Sequence, residues 1–289
     1  MMGSDRHFSS FEEFELSAES HGMSCPEFAR EAGIEENGVY VVLTGDGKFR
    51  FFDGKSEIPC PPGFEISGKF GDCVRDIAIE SVSIPESVTK IKEGTFSGCT
   101  SLRSVTISES VTEIGKWAFH RCTSLRSVMI PDSVSHIGDE AFSSCDSLES
   151  VTIPNSVTTI EWRMFYKCTS LRSVTIPESV RNIECGMFGH CTSLESISIP
   201  VSVTSIGDGM FVGCTSLASI SIPDSVTSIG DGAFFNCTSL RSVTIPESVT
   251  SIGSGAFASC TSLKHIVLPR RFANDTSWFL DRHTEIRFC

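Results

Sequence analysis

Apolar residues recur at a fixed spacing over most of this chain. From Ile84 to Leu268 an isoleucine or leucine stands at every 23rd position, with no insertion or deletion. Self-similarity at a constant period of about 20–50 residues is typical of a solenoid, in which each repeat forms one turn of a coil. The members of this column are Ile84, Ile107, Ile130, Ile153, Ile176, Ile199, Ile222, Ile245 and Leu268.

The pattern inside one repeat predicts a short strand followed by a corner. Leu240, Val243 and Ile245 are spaced by three and then two positions, which predicts three inward side chains on one strand. The proline after Ile245 has no N–H to donate to a strand ladder, so the strand ends there. Val249 and Ile252 then continue the buried set at a helix-like spacing. We therefore expect each turn to contain one strand and one corner.

A phenylalanine column predicts an aromatic spine inside the coil, because rings in register stack favourably. Its members are Phe96, Phe119, Phe142, Phe165, Phe188, Phe211, Phe234 and Phe257. A lone turn cannot offset the entropy of ordering its backbone, so each apolar layer has to be covered by the next turn.

Eight of the 13 cysteines form another column. Neighbouring rungs of a parallel stack lie about 4.8 Å apart, whereas the Cβ atoms of a disulfide lie about 3.5–4.5 Å apart. We therefore expect buried thiols that act as small apolar groups and donate weakly to the backbone of a corner. A metal or redox ladder is the alternative. The column contains Cys99, Cys122, Cys145, Cys168, Cys191, Cys214, Cys237 and Cys260.

The first part of the chain has a different character from the repeats. Capping-box patterns at 10–13 and 24–27 predict two short helices, which end at Gly22 and Gly33. Further along, β-branched and aromatic residues at 39–43 and 48–52 flank a Thr-Gly-Asp-Gly segment, which predicts a hairpin.

These patterns divide the chain into three parts. We expect an N-terminal cap at residues 1–76, a solenoid at 77–268 and a C-terminal cap at 269–289. In the last part Trp278, Phe279 and Leu280 replace the expected column residues. A separate small interaction domain is the alternative for the N-terminal part.

Charge and hydropathy exclude several classes of function. The net charge is −13, and residues 1–76 contain 15 acidic and 7 basic residues. This balance argues against nucleic acid as a partner, because binding to phosphates needs clustered Lys and Arg. No apolar run reaches 18 residues and no secretory signal opens the chain, so we expect no insertion into a membrane. The expected oligomeric state is a monomer. The expected compartment is the cytoplasm, with export to the cell surface by a non-classical route as the alternative.

Catalytic and metal-binding motifs are absent from the sequence. It contains no glycine-rich phosphate loop, no HExxH, no GxSxG and no CxxC pair. His120, His136, His190 and His265 fall in four different repeat columns, which indicates chance placement. We therefore predict a protein that is not an enzyme and that has no cofactor.

The outward positions beside each strand form two columns of mostly charged residues, with a floor of Ser and Thr between them. Like charges on adjacent rungs oppose stacking, so they indicate compensation by the other column or by a ligand. Two solvated rows that screen each other are the alternative. The candidate binding residues are Arg103, Arg126, Glu149, Arg172, Glu195 and Arg241 in one column, and Glu109, Asp132, Glu178, Asp224 and Glu247 in the other.

Three aromatic residues depart from the repeat pattern, and basic residues lie near them in the sequence. This composition is typical of interface hot spots, so we predict an aromatic–basic patch on a corner or on the convex side. Drift after repeat duplication is the alternative. The aromatic residues are Trp117, Trp162 and Tyr166, and the basic ones are Arg121, Arg163 and Lys167.

The repeat phrase IPxSVTxIGxxAFxxCTSLxSVT resembles the leucine-rich repeat of the BspA, or Treponema pallidum, type over roughly residues 77–268. The resemblance implies a curved solenoid with a parallel sheet on one face, and a role in recognition or adhesion, often at microbial cell surfaces. The expected fold is an α/β-type repeat solenoid with short or irregular corners and a small N-terminal α+β cap.

The resulting functional hypothesis is non-enzymatic recognition of a protein or cell-surface ligand through the solenoid surface. Two alternatives stay open. The repeats act as a passive scaffold that presents an N-terminal interaction module, or the protein is a surface adhesin or antigen exported without a classical signal.

Overall fold

A computed structural model describes residues 34–36, 39–43, 48–52, 57–59, 64–66, 79–273 and 284–289. Within these residues the chain forms a parallel β-solenoid of about nine turns, as the 23-residue period predicts. Helix is almost absent from this described part: one short 3-10 helix, Arg270–Phe272, follows the last complete turn.

One face of the coil, the front sheet, is built from the Ser-Val-Thr segments of successive turns. Its strands are β6 (Ser81–Ser83), β8 (Ser104–Thr106), β10 (Ser127–Met129), β12 (Ser150–Thr152), β14 (Ser173–Thr175), β18 (Ser242–Thr244), β20 (His265–Leu268) and β21 (Glu285–Phe288). Corresponding residues pair in parallel, as Val105 does with Val128, because every repeat has the same length. Single bridges such as Ser198 with Ser221 continue the ladder between β14 and β18. The predicted parallel sheet is therefore confirmed.

A second ladder, the side sheet, was not predicted from the repeat. Val249 and Ile252 are both buried, but Ile252 lies on a strand and not on a helical corner. The apolar spacing of three residues arises because a turn separates Val249 from that strand. The strands are β5 (Phe64–Ile66), β7 (Val88–Ile91), β9 (Glu113–Ile114), β11 (His136–Ile137), β13 (Thr159–Ile160), β15 (Asn182–Ile183), β16 (Ser205–Ile206), β17 (Ser228–Ile229) and β19 (Ser251–Ile252).

The phenylalanine column fills the centre of the coil. All eight rings are fully buried, and consecutive rings lie 5.1–6.2 Å apart with interplanar angles of 4–14°. Offset stacking at these separations adds to the hydrophobic gain from burial. The predicted aromatic spine is confirmed.

An antiparallel sheet precedes the solenoid. It contains β1 (Ile34–Glu36), β2 (Val39–Leu43), β3 (Phe49–Phe52) and β4 (Glu57–Ile58), and β2 pairs with β3 where the sequence predicts a hairpin. The ring of Phe49 lies 6.3 Å from that of Phe96 in an edge-to-face arrangement. This contact is the one expected of a cap on the first aromatic layer. The two predicted helices lie outside the described residues.

At the other end of the solenoid, β21 adds one more parallel rung to the front sheet, with Ile286 opposite Ile266 and Phe288 opposite Leu268. The predicted replacements Trp278, Phe279 and Leu280 lie outside the described residues. The part of the chain that is described contains no helix with the length and hydropathy needed to cross a membrane.

Candidate functional site

The predicted charge columns lie on the surface along both borders of the front sheet. Arg103, Arg126, Glu149, Arg172, Glu195 and Arg241 are all exposed, as are Glu109, Asp132, Glu178, Asp224 and Glu247. Each column follows the coil because the backbones of successive turns are bonded to one another; the N–H of Arg172, for example, donates to the carbonyl of Glu149.

Between the two columns the outward positions of the strands carry exposed Ser and Thr. Met129 interrupts this floor and is 83% exposed, although it occupies the column of Thr106 and Thr152. Sequence reasoning did not single out this residue, but its departure from a column of threonines was a usable signal. Met129 gives the polar floor one apolar contact point.

Two pairs of like charges lie on adjacent rungs, Arg103 with Arg126 and Asp224 with Glu247. In each pair one member forms an ion pair with a residue of opposite charge from another part of the coil. Arg103 pairs with Glu80 of the preceding turn at 3.4 Å, and Glu247 pairs with Arg271 at 3.2 Å. Arg126 and Arg172 form no ion pair with any described residue, so their guanidinium groups remain available to a partner.

Each turn contains two backbone positions in the left-handed region, four residues apart. Glycine adopts this conformation without steric cost, whereas other residues pay for the contact of Cβ with the backbone. The first position is occupied by Gly94, Trp117, Glu140, Arg163, Gly186, Gly209, Gly232 and Gly255, and the second by Gly98, Arg121, Ser144, Lys167, His190, Gly213, Asn236 and Ser259.

Four residues of the predicted aromatic–basic patch contact one another around these positions. The guanidinium carbon of Arg163 lies 4.2 Å from the ring centroid of Trp162 and 4.7 Å from that of Tyr166, while Lys167 Nζ lies 5.6 Å from the Tyr166 ring. The ring of His190, one turn later, meets Tyr166 edge to face at 5.4 Å. We call these five residues the aromatic–cation cluster.

The structure separates Trp117 from the aromatic–cation cluster. The backbone N–H of Trp117 donates to the backbone carbonyl of Asp139 in the next turn, and Trp162 belongs to the turn after that. Two rungs of a parallel stack amount to about 10 Å. The Trp117 ring instead packs under Lys116, whose Nζ lies 4.4 Å from its centroid.

The sequence analysis attributed the position of His190 to chance, although this residue follows Lys167 by one repeat and therefore shares its column. Burial lowers the pKa of His190, and the nearby Lys167 and Arg163 cations lower it further. The aromatic–cation cluster therefore gathers two permanent cations and a third group that titrates.

The cysteine column lies in the core. Seven thiols donate to the carbonyl oxygen of the phenylalanine 26 residues earlier, with Sγ–O distances of 3.1–3.2 Å. Burial raises the pKa of six of these thiols, to about 12 for Cys168; the other five are Cys122, Cys145, Cys191, Cys214 and Cys237. Neutral thiols bound to the backbone are poor nucleophiles, so this column serves packing.

The serine that precedes valine donates to the backbone of the preceding turn in six of the ESVT-type segments, whereas the buried hydroxyl of Ser248 has no hydrogen-bond partner among the described residues. Ser133 Oγ donates to the carbonyl of Val111, and Ser225 Oγ donates to that of Val203, each 22 residues earlier. These hydrogen bonds hold successive turns together, and the hydroxyl groups that donate them already have a backbone partner.

Two shallow grooves lie along the side sheet. One, of about 520 Å³, carries the acidic residues Glu184, Asp208 and Asp231; the other, of about 480 Å³, mixes Lys92 and Lys116 with carboxylates. Asp208 and Asp231 each accept a backbone N–H from the following turn. These carboxylates therefore already help to hold the stack together.

Comparison with known proteins finds both a matching family and solved structures that are similar to this solenoid. The family model for the BspA type leucine rich repeat region matches residues 72–195 and 181–282, in six copies. A leucine-rich repeat protein from Bacteroides ovatus superposes with a TM-score of 0.60 at 28% identity, covering 73% of this chain and 66% of that one.

A leucine-rich repeat protein from Eubacterium ventriosum superposes with a TM-score of 0.56 at 26% identity, covering 80% of this chain and 70% of that one. No curated protein gives a significant match.

Proposed function

The chain belongs to the BspA-type leucine-rich repeat family, and from this premise we propose that it is a protein-binding repeat scaffold that recognises its partner through the front sheet. Solenoids of this kind present an extended surface along the stack, and their function resides in that surface.

One observation carries the proposal: beside its polar floor the front sheet carries charges, among them Arg126 and Arg172, that form no ion pair with any described residue. Arg126 and Arg172 border the floor two turns apart, with the exposed carboxylate of Glu149 on the turn between them. Alternating charges on a regular lattice favour a partner with the complementary order, because opposite charges across an interface select register and partner.

The test is partner capture by single charge reversals. We expect Arg126→Glu and Arg172→Glu, each immobilised as the full chain, to lose cellular proteins that the unmodified chain retains. The thermal midpoint should change little, because exposed positions without packing partners contribute within about 0.5 kcal/mol.

Arg181→Glu is the matched control, since Arg181 is exposed but lies beside the side sheet. It changes the net charge by the same amount and should retain the same proteins. Retention of every captured protein by both front-sheet variants would show that recognition occurs elsewhere on the molecule.

The alternative in which residues 1–76 carry specificity gains no support from the described contacts. Phe49 and Phe51 are buried in the same hydrophobic cluster as the first turns of the solenoid. We propose that this segment is a cap, because its apolar side chains cover the first layer and leave fewer groups for a partner.

A further inference from the structure

The aromatic–cation cluster lies apart from the front sheet, on the turn that follows the side sheet, and its charge contrasts with the rest of the chain. The protein has a net charge of −13, yet Arg163, Lys167 and His190 gather around the Tyr166 ring, and none of the three forms an ion pair with a described residue. The carboxylate of Asp146 interacts with Lys167 at longer range, and this cation partly offsets the rise that burial causes in the pKa of Asp146. Two permanent cations, Arg163 and Lys167, that no carboxylate pairs directly form a local attraction for anionic ligands.

Arg163 occupies a left-handed backbone position that holds glycine in five of the eight turns, and Lys167 and His190 occupy the second left-handed column, in which glycine stands twice. The φ angles are 51° at Arg163, 60° at Lys167 and 60° at His190. Gly209 and Gly213, in the same two columns, show that the turn forms without a side chain there. Strained positions that keep large side chains are typical of functional sites.

Glycines of the following turn lie directly under the side chains of the aromatic–cation cluster. A Cβ atom added at Gly186 would lie 3.1 Å from Cγ of Arg163, and one at Gly189 would lie 2.7 Å from Cδ2 of Tyr166. Because the missing Cβ atoms make this room, the large side chains lie flat across the next turn. The cluster is therefore held in place before any ligand arrives, which lowers the entropy lost on binding.

The guanidinium of Arg163 is arranged to receive a carboxylate. It stacks on the rings of Trp162 and Tyr166 and donates no hydrogen bond to another described residue, so the N–H groups at its edge stay available. A guanidinium fork matches a carboxylate in bidentate geometry. Trp162 is 38% exposed and offers an apolar surface beside that fork.

We infer that the aromatic–cation cluster binds an acidic segment of a protein partner, in which a carboxylate meets Arg163 and a neighbouring aromatic or apolar side chain packs on Trp162 and Tyr166. This inference rests on the proposed function, because it names the chemistry of the protein partner. It also assigns a second binding surface to the solenoid, in addition to the front sheet. Aromatic and arginine side chains dominate the energy of protein interfaces, which favours a protein over an inorganic anion.

The test uses fluorescence anisotropy of a labelled peptide, roughly ten residues long, that alternates Glu with Tyr, titrated with the full chain. We expect binding that weakens by about tenfold or more when Gln replaces Glu in the peptide. Arg163→Gly should cause a similar loss while the protein stays folded, because glycine occupies this column in four later turns.

Arg181→Thr is the control, because threonine occupies the corresponding position at Thr158 and Thr204, and it should bind the peptide like the unmodified chain. Equal binding by the Arg163→Gly variant, or no binding of the Glu–Tyr peptide by the unmodified chain, would overturn the inference. Binding of heparin or inorganic phosphate without binding of the peptide would also overturn it, since the site would then serve another class of anion.

Failure here is distinguishable from failure of the front-sheet proposal. The peptide assay depends on Arg163 and should not respond to Arg126→Glu or Arg172→Glu, whereas the capture assay depends on those two residues. Loss of peptide binding in the front-sheet variants would contradict the assignment of the acidic segment to this cluster.

Discussion

At the residue scale, the repeat places the same side chain in the same environment eight times. The six inner phenylalanines of the spine, Phe119 to Phe234, are covered on two sides by rings of neighbouring turns. Seven thiols of the cysteine column lie against a backbone carbonyl. Such residues are hard to replace, because the turns above and below hold the surrounding space open and a smaller side chain leaves a cavity.

Phe165→Ala is expected to lower the free energy of unfolding by about 3–5 kcal/mol. Its ring is fully buried, with neighbouring rings at 5.8 and 6.2 Å. Chemical denaturation measures the change, with Glu178→Ala as the control, because that exposed residue should alter the stability by less than about 0.5 kcal/mol. A loss at Phe165 below about 1 kcal/mol would contradict its place in the core.

Alkaline pH is expected to destabilise the fold through the cysteine column. The folded Cys168 thiol keeps its proton up to a pKa of about 12, whereas the thiol of the unfolded chain has a pKa near 9.0. Unfolding between these values releases a proton, so the stabilisation is complete below pH 9 and is lost as the pH rises toward 12.

Cys168→Ser isolates this effect, because a serine hydroxyl does not titrate there. The decline in unfolding free energy between about pH 10 and 11 should be shallower in the variant by about 1.4 kcal/mol per pH unit, the value for one proton. Urea denaturation at several pH values measures both slopes, and parallel slopes would show that the thiol titrates alike in both states.

At the scale of elements, the turn after the side sheet depends on two different kinds of glycine. Gly255 has a φ of +62°, and a Cβ added there would meet only the Cβ of Ala258 at 3.8 Å, an ordinary contact, so this glycine serves the left-handed backbone. Gly115 serves close approach, since an added Cβ would lie 2.7 Å from the backbone of Glu93 and of Lys92 in the preceding turn. Their substitutions should therefore have different costs.

Gly255→Ala should cost about 1 kcal/mol, because alanine is strained in the left-handed region but makes only an ordinary contact with Ala258. Gly115→Ala should cost about 3 kcal/mol or more, because backbone atoms cannot move aside without separating two turns. Denaturation midpoints of the two variants provide the comparison. A larger loss at Gly255 would mean that backbone strain, and not the distance between turns, limits this element.

At the scale of the whole molecule, stability depends on keeping every turn in phase. Between the first and last rungs, paired strands of both sheets join residues 23 positions apart, so the inward columns persist only while the repeat length is constant. A shift of one residue would turn the apolar side chains of the front sheet outward.

Removal of residues 199–221, one complete turn, should leave a folded protein with a single unfolding transition, because Ile222 then takes the place of Ile199. Removal of residues 199–220 should abolish cooperative unfolding, since the following strand enters one residue out of phase. Circular dichroism during denaturation distinguishes the two deletions. Similar transitions in both would argue against register as the organising constraint.

The sequence by itself determined the period, the inward columns and the parallel front sheet, because burial in a stack acts identically on every repeat and leaves a periodic trace. Only the tertiary structure decided which surface residues meet. The two ladders, the separation of Trp117 from Trp162 and the contact of Tyr166 with His190 depend on the direction of each turn and on left-handed backbone positions. Contacts of that kind join residues of neighbouring turns, and apolar spacing along one turn does not encode them.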